Sequence, residues 1–204
     1  MRLIGMLDSP YVRRTAISMR LLGLGFEHEP VSVFRHFDRF AAINPVVKAP
    51  TLVTDDGTVL MESGLILEYL DRLVPPERRL APADAGDLLR AQRLIGLALA
   101  AAEKTVQIVY ERELRPAEKQ HQPWLDRIAG QLADAYRLLE AEIAEAEGWL
   151  IADRPLQADV TLAVVWHFTQ AMLPDRIDPA THPALAALSA RAEALPEFLA
   201  TPPA

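Results

Sequence analysis

The sequence has no cysteine and no long apolar run. Without cysteine, its 204 residues cannot form disulfide bonds, cysteine-based zinc sites or a cysteine nucleophile. Its longest apolar run, LIGLALAAA, is far shorter than the roughly 20 residues that a membrane-spanning helix needs. Asp8 and Pro10 interrupt the apolar N-terminus, so no signal-peptide core is present there. We therefore expect a cytoplasmic protein that has no membrane partner.

Positive charge is also scarce. Lysine and arginine number 21 against 28 aspartate and glutamate residues, which gives a net charge of −7. Such a chain is a poor binder of nucleic acid, because nonspecific binding to phosphates needs a positive field. The histidines are too scattered to give metal-ligand spacing; they are His28, His36, His121, His167 and His182. We therefore expect neither a nucleic-acid partner nor a metal.

Short strands and helices alternate in the first third of the chain. RLIGML and the weaker EPVSV are typical of strands, and PTLVT and TVLM flank DDG, which is a hairpin signal. Helical patterns cover Arg13 to Leu24 and then ESGLILEYLDRL, which ends before Pro75 and Pro76. This order predicts a thioredoxin-like α/β domain over residues 1–76, of β-α-β-β-β-α type with a mixed four-stranded sheet.

The rest of the chain has a helical pattern. Residues 77–83 lie in a stretch rich in proline and alanine and predict a linker, and residues 84–204 predict an all-helical domain. Apolar residues recur at spacings of three and four over 88–109 and again over 125–143, which indicates two amphipathic helices. ADVTLAVVWHFTQAM is apolar on nearly every side, so it predicts a central buried helix.

Ser9 and Pro10 stand where the first strand passes into the first helix. Serine at the N-cap followed by proline is a common helix start, and capping alone would explain both residues. A capping hydroxyl can also donate its own hydrogen to an anion while it accepts from the first turn. The helix dipole would favour that anion. Both interpretations stay open at this point.

Two further stretches carry similar alternatives. In NPVVKAP, a cis Ala49–Pro50 bond would free the Ala49 backbone to pair with an extended peptide, although Pro50 could simply begin a strand. Ser63 would cap the following helix, whose N-terminus suits a carboxylate, while the adjacent Glu62 could bind an ammonium group. The simpler interpretation of this second pair is a helix cap beside a solvated glutamate.

Together these stretches resemble the soluble glutathione transferase family, in particular bacterial members with serine at the sulfur-activating position. The matching residues are Ser9-Pro10-Tyr11-Val12-Arg13, Asn44-Pro45, Lys48-Ala49-Pro50, and Glu62-Ser63 before Ile66-Leu67-Glu68-Tyr69-Leu70. Their order and spacing fit, and the resemblance covers essentially the whole chain. Val47 is a departure, because the family often has glycine before the lysine.

The resemblance implies glutathione as co-substrate and a role for each matched residue. Ser9 would be the catalytic residue and would hydrogen-bond the glutathione sulfur. Ala49–Pro50 would present a backbone that pairs with the cysteinyl part, and Lys48 would help at the far carboxylate. Glu62–Ser63 would hold the γ-glutamyl head group. The implied glutathione-binding set is Ser9, Lys48, Ala49, Pro50, Glu62 and Ser63.

The implied reaction is attack by the glutathione thiolate on a small hydrophobic electrophile. A free thiol has a pKa near 8.5, and about 1.4 kcal/mol of thiolate stabilisation lowers it by one unit. Ser9 would act as a hydrogen-bond donor, so it needs no partner base. The electrophile pocket is expected between the two halves of the chain. Its expected walls are Tyr11, Phe34, Glu103, Gln107 and Tyr110.

Two classes of function stay open. The first is a glutathione-dependent enzyme, either a transferase or a related reductase or isomerase; the lack of cysteine argues against relatives that form a mixed disulfide. The second is a non-catalytic glutathione-binding or protein-interaction module, because fold does not fix function. The resemblance also implies a homodimer, although no self-complementary patch follows from the sequence itself.

Overall fold

The computed structural model describes residues 1–203, which group into two compact units. The first unit holds Met1–Ala83 together with residues 194–203, and the second holds Asp84–Glu193. The sequence-based division assigned the last residues to the helical domain, whereas their contacts are with the N-terminal unit.

One mixed sheet of four short strands forms the centre of the first unit. The strands are β1 (Arg2–Ile4), β2 (Glu27–Glu29), β3 (Thr51–Val53) and β4 (Val59–Met61). They lie in the order β2-β1-β3-β4, with β1 and β2 parallel and the other neighbouring pairs antiparallel. The predicted mixed four-stranded sheet is confirmed. The second strand ends before Pro30 and shares only Glu29 with the predicted EPVSV, because proline has no N–H for the strand ladder.

The helices of the first unit are α1 (Pro10–Leu21), α2 (Phe37–Ile43), α3 (Ser63–Arg72) and, near the C-terminus, α8 (Pro196–Leu199). Helix α1 begins three residues before the predicted Arg13, because Ser9 is its N-cap and proline is favoured at the first helical position. Helix α2 was not predicted. Phe40 is its only buried residue, so it leaves no periodic apolar pattern in the sequence.

The sheet of the first unit is covered on both faces. One core cluster joins Leu3 and Leu52 of the sheet to α1 and α3, through residues such as Ala16 and Ile66. A smaller cluster on the other face joins Ile4, Val31, Phe40 and Val53. The C-terminal segment adds a further contact with α1: the Arg13 guanidinium stacks on the Phe198 ring, and its Nε donates to the Thr201 carbonyl at 2.9 Å.

Four helices build the second unit: α4 (Ala85–Glu113), α5 (Gln122–Ile143), α6 (Gln157–Met172) and α7 (Pro183–Glu193). Helix α4 packs against α5 and α6, and α6 also packs against α7. Residues 158–166 of α6 are all buried, which confirms the predicted central helix. No helix within residues 1–203 is both long and apolar enough to cross a membrane.

Buried polar bonds fix α6 within the second unit. The Asp159 carboxylate accepts the backbone N–H of Leu150 at 2.8 Å and that of Leu156 at 2.9 Å, and so ties the preceding loop to the start of the helix. Farther along α6, the Thr169 hydroxyl accepts from the Tyr136 hydroxyl at 2.6 Å and lies 2.8 Å from the Thr105 hydroxyl. These bonds satisfy polar groups that burial would otherwise leave without partners.

Candidate functional site

A close approach at Gly5 brings the start of α1 next to the Ala49 loop. Gly5 directly follows β1 and has a φ of 139°, a conformation that favours glycine. A Cβ built on it would lie 2.6 Å from Val12 Cγ2 and 3.2 Å from Ala49 Cβ. A side chain at this position would therefore push apart two segments that carry predicted site residues.

Ser9 is the N-cap of α1, and its hydroxyl can also donate a hydrogen bond. Its Oγ accepts the Val12 backbone N–H at 3.4 Å, which is long for a hydrogen bond, and the side chain is half-buried. A hydroxyl that accepts one bond still has its hydrogen to donate. The unpaired N–H groups and the dipole of α1 make the space in front of Ser9 favourable for an anion.

Asn44 organises the loop that leads to Ala49 and Pro50. Its buried side chain donates to the Thr51 hydroxyl at 2.9 Å and accepts the Val46 N–H at 3.0 Å. The Thr51 hydroxyl in turn donates to the Lys48 carbonyl at 2.8 Å. The Ala49–Pro50 peptide bond is cis, and Ala49 is half-buried. The Lys48 side chain is exposed at the surface of this loop.

Val47 takes a backbone conformation that a β-branched residue rarely adopts. Its φ is 51°, in the left-handed region where glycine is preferred. Where the family often has glycine before the lysine, this chain therefore has a valine in the backbone conformation that suits glycine. Its N–H donates to the Asn44 carbonyl at 2.9 Å, and its side chain packs on the core beside Ile4 and Phe40, which holds the unusual backbone.

Glu62, rather than Ser63, is the N-cap of α3. Its Oε2 accepts the Gly64 and Leu65 N–H groups at 3.0 and 3.2 Å, and its own φ is 75°. Two of the backbone N–H groups at this helix start, which were predicted to bind a ligand carboxylate, are therefore already bonded to Glu62. Ser63 is the first helical residue and is buried, with its Oγ 3.5 Å from Glu62 Oε1. Its backbone N–H has no partner inside the helix.

Arg14 is a buried cation that the sequence analysis missed. It lies on α1 with only 2 % of its surface exposed, and its Nε and Nη1 atoms have no hydrogen-bond partner. Burial lowers the pKa of Arg14 to about 10, although electrostatic attraction to Glu62 and Tyr11 acts to raise it. Nothing in the sequence distinguishes it from its neighbour Arg13, because a charged residue on a helix is usually solvated.

The residues predicted for the electrophile pocket belong to both units. Tyr11 on α1 is half-buried, and Phe34 is 57 % exposed in the loop before α2. Glu103, Gln107 and Tyr110 lie on α4 in the second unit. There the Gln107 side-chain amide donates to the Glu103 carboxylate at 2.7 Å, and Tyr110 is 44 % exposed. The pocket itself stays a prediction.

Comparison with known proteins gives the family. The model for the glutathione S-transferase N-terminal domain matches residues 3–78, and the model for the C-terminal domain matches residues 122–191. An uncharacterised GST-like protein of Escherichia coli, YibF, is 30% identical over 166 residues, which is 81% of this chain and 77% of that protein. A maleylacetoacetate isomerase of Pseudomonas aeruginosa is 29% identical over 160 residues, 73% of this chain and 72% of the relative.

Solved structures of similar fold match this chain over nearly its full length. A glutathione S-transferase of Methylobacterium radiotolerans in complex with glutathione sulfonate superposes with a TM-score of 0.90 at 30% identity, covering 99% of this chain and 94% of that one. A glutathione transferase family member of Pseudomonas fluorescens with bound glutathione gives 0.86 at 30% identity, covering 100% and 98%. The chain belongs to the glutathione S-transferase family.

Proposed function

We propose that the protein is a glutathione transferase in which Ser9 donates a hydrogen bond to the glutathione sulfur. The observation that carries the proposal is the position of the Ser9 hydroxyl at the N-terminus of α1, where its capping bond is long and its hydrogen is available. The glutathione and glutathione sulfonate bound in two structural relatives support the ligand class.

The remaining glutathione contacts follow from the chemistry of the loop and of α3. The Glu62 carboxylate, which also caps α3, would bind the γ-glutamyl ammonium, and the Ser63 hydroxyl and N–H would take the adjacent carboxylate. The Ala49 backbone before Pro50 would pair with the cysteinyl part, and Lys48 would attract the glycyl carboxylate.

The reaction needs a thiolate and no base from the protein. A hydroxyl donor and a helix N-terminus together supply about 1–3 kcal/mol of preference for the charged sulfur, which lowers the thiol pKa by about one to two units. At neutral pH this raises the thiolate fraction about tenfold or more. The thiolate sulfur then forms a bond to an electrophilic carbon. In a substitution the leaving group departs with the electron pair of its bond to that carbon; in an addition the π pair moves to the neighbouring atom, which takes up a proton from solvent. We place Tyr11, Phe34, Glu103, Gln107 and Tyr110 around that electrophile.

Measurement of glutathione binding distinguishes a glutathione-dependent enzyme from a protein-interaction module. Isothermal titration calorimetry should show one site per chain for glutathione, with competition by S-methylglutathione. The full-length chain retained on immobilised glutathione and eluted by free glutathione would give the same answer. A chain that neither binds in solution nor is retained would favour the interaction module.

Ser9 is tested by two substitutions. Ser9→Ala should keep the fold and glutathione affinity but lower conjugation of 1-chloro-2,4-dinitrobenzene up to about tenfold at neutral pH, because the thiol pKa rises by about one unit. Ser9→Thr keeps a hydroxyl and should retain more activity than Ser9→Ala. Parent-level turnover in Ser9→Ala would mean that Ser9 is only a helix cap.

A glutathione-dependent isomerase is the second candidate, because a relative covering most of this chain is named maleylacetoacetate isomerase. Isomerisation returns glutathione unchanged, whereas conjugation consumes it. Incubation with maleylacetoacetate, followed by measurement of both product and free thiol, distinguishes the two reactions.

We also propose the homodimer that is typical of the family. Light scattering on the full chain should give about twice the chain mass, and a mass equal to one chain would contradict it.

A further inference from the structure

A small cleft lies in the second unit, where α4 and α6 end side by side. Its volume is about 400 Å³. It is lined by Arg112 of α4, by Met172 and Leu173 at the end of α6, and by Pro174, Asp175 and Arg176 of the loop that follows. Small-molecule sites commonly have volumes of about 300–1,000 Å³, so the cleft has the size for a small ligand.

Arg112 takes the next place in a buried stripe of α4. The stripe consists of Leu94, Ala98, Ala101, Thr105 and Ile108. Positions three and four apart share one face of a helix, so Arg112 lies on the same face as these residues. This face packs on α6, because the Thr105 hydroxyl lies 2.8 Å from the Thr169 hydroxyl. A half-buried arginine thus stands where the pattern calls for an apolar residue.

The two guanidinium groups in the cleft have no partner in the part of the chain that the structure describes. The side chains of Arg112 and Arg176 make no hydrogen bond or ion pair there, not even with the Asp175 carboxylate that lines the same cleft. Helix dipoles favour cations near the ends of α4 and α6, but they do not require two cations to line one cleft. Each guanidinium therefore keeps its N–H donors for a ligand or for water.

The cleft is separate from the residues predicted for the electrophile. Successive residues of an α-helix are rotated by about 100°, so Arg112 lies about 140–180° around α4 from Glu103, Gln107 and Tyr110. These three residues are therefore on the opposite side of the helix. A ligand in the cleft would occupy a second site, and the inference does not rest on the proposed function.

We propose that the cleft binds a small organic acid through a single carboxylate held between Arg112 and Arg176. Guanidinium groups bind carboxylates through paired hydrogen bonds that fit their planar geometry. The apolar part of the acid lies against Pro174 and Met172, which is 43 % exposed. Two guanidinium groups and the Asp175 carboxylate give the cleft a net charge of +1, which matches one carboxylate. A phosphate or a dicarboxylate brings a second negative charge toward Asp175, which disfavours it.

Titration of the full chain with benzoate, followed by NMR, tests the proposal. Benzoate joins one carboxylate to an apolar ring, benzyl alcohol is its neutral counterpart, and inorganic phosphate is the probe with more charge. We expect benzoate to shift the backbone amide signals of Arg112 and Arg176 and to bind more tightly than either of the other two probes.

Substitution of the two arginines measures their share in binding. Arg112→Gln and Arg176→Gln should each weaken benzoate about fivefold, because each removes one charge-assisted contact from a partly exposed side chain. The double variant should weaken it about twentyfold. Arg127 is exposed on α5, so Arg127→Gln is the matched control: it makes the same change in net charge and should leave the affinity unchanged.

Four results would overturn the proposal. They are no binding of benzoate to the parent chain, equal affinity in the parent and the double variant, equal affinity for benzoate and benzyl alcohol, and phosphate bound at least as tightly as benzoate. Thermal unfolding checks that each variant is folded. If Arg112→Gln does not fold, Arg176→Gln, which changes an exposed loop residue, decides by itself: parent-level affinity for benzoate in that variant contradicts the proposal.

Discussion

Replacement of Asp159 by alanine should destabilise the second unit strongly. Asp159 is fully buried, and its two carboxylate oxygens each accept one backbone N–H, from Leu150 and Leu156. Both of these leucines are buried as well. The alanine variant therefore leaves two donors that neither protein nor bulk water can satisfy.

The magnitude follows from those two donors. Each unsatisfied buried N–H costs about 1–3 kcal/mol, so Asp159→Ala should lower the free energy of unfolding by about 2–6 kcal/mol. Burial raises the pKa of Asp159, which means that desolvation of the carboxylate offsets part of what the two bonds contribute. We therefore expect the lower half of that range. Asp159→Asn keeps one acceptor oxygen and should lose about half as much.

Thermal and urea unfolding of the full chain measure the effect. A loss of about 3 kcal/mol lowers the midpoint temperature of a protein of this size by about 10 °C. Asp153 is exposed in the same loop, so Asp153→Ala is the matched control and should change stability by less than about 0.5 kcal/mol. An Asp159→Ala protein as stable as the Asp153→Ala control would refute the reasoning.

Three further predictions concern Glu111 and Tyr136 of the second unit and Gly5 of the first. The hydrogen bond from the His121 backbone N–H holds the pKa of Glu111 below its usual value. Ionised Glu111 therefore stabilises the folded protein above the pKa that it has in the unfolded chain, and this contribution is lost as the pH falls through its pKa in the folded protein. Glu111→Gln should lower the urea midpoint at pH 7, with a deficit that shrinks as the pH falls below the ordinary glutamate pKa; a deficit that stays the same at every pH would contradict this. Tyr136→Phe removes the bond to the Thr169 hydroxyl and should cost about 1–2 kcal/mol in thermal unfolding; no loss would mean that the bond contributes nothing. Gly5→Ala forces a side chain into a positive φ and should cost about 2–4 kcal/mol, whereas a neutral result would show that α1 shifts freely.

Periodicity in the sequence predicted the large elements well. Helices α4 and α5 are long and have apolar faces that repeat with the helical period, and α6 is apolar on nearly every side, so pattern alone locates all three. Helix α2 could not be found in this way, because only Phe40 of its residues is buried. The second strand was misplaced by a few residues, since a three-residue edge strand with the sequence EHE carries no apolar alternation.

The candidate site was predictable in outline and not in detail. Cap chemistry indicated Ser9 and the start of α3, because serine beside proline or glycine at a helix start has a local signature. It did not show that Glu62 would fold back onto the first turn of α3, since that depends on a positive φ set by the tertiary structure. Arg14 had no signal of its own, and Asn44 belonged to a matching motif that gave it no role. Their importance lies in burial and in bonds to residues distant in sequence, which one sequence does not display.

The central claim is that a neutral serine hydroxyl at the start of α1 stabilises the thiolate of glutathione. A crystal structure of the full chain with bound glutathione tests it most directly. The account predicts the sulfur within hydrogen-bonding distance of Ser9 Oγ, about 3.0–3.5 Å, with the sulfur facing open space where an electrophile can approach. Glutathione bound with its sulfur directed away from Ser9, in a position from which it can still react, would contradict the account.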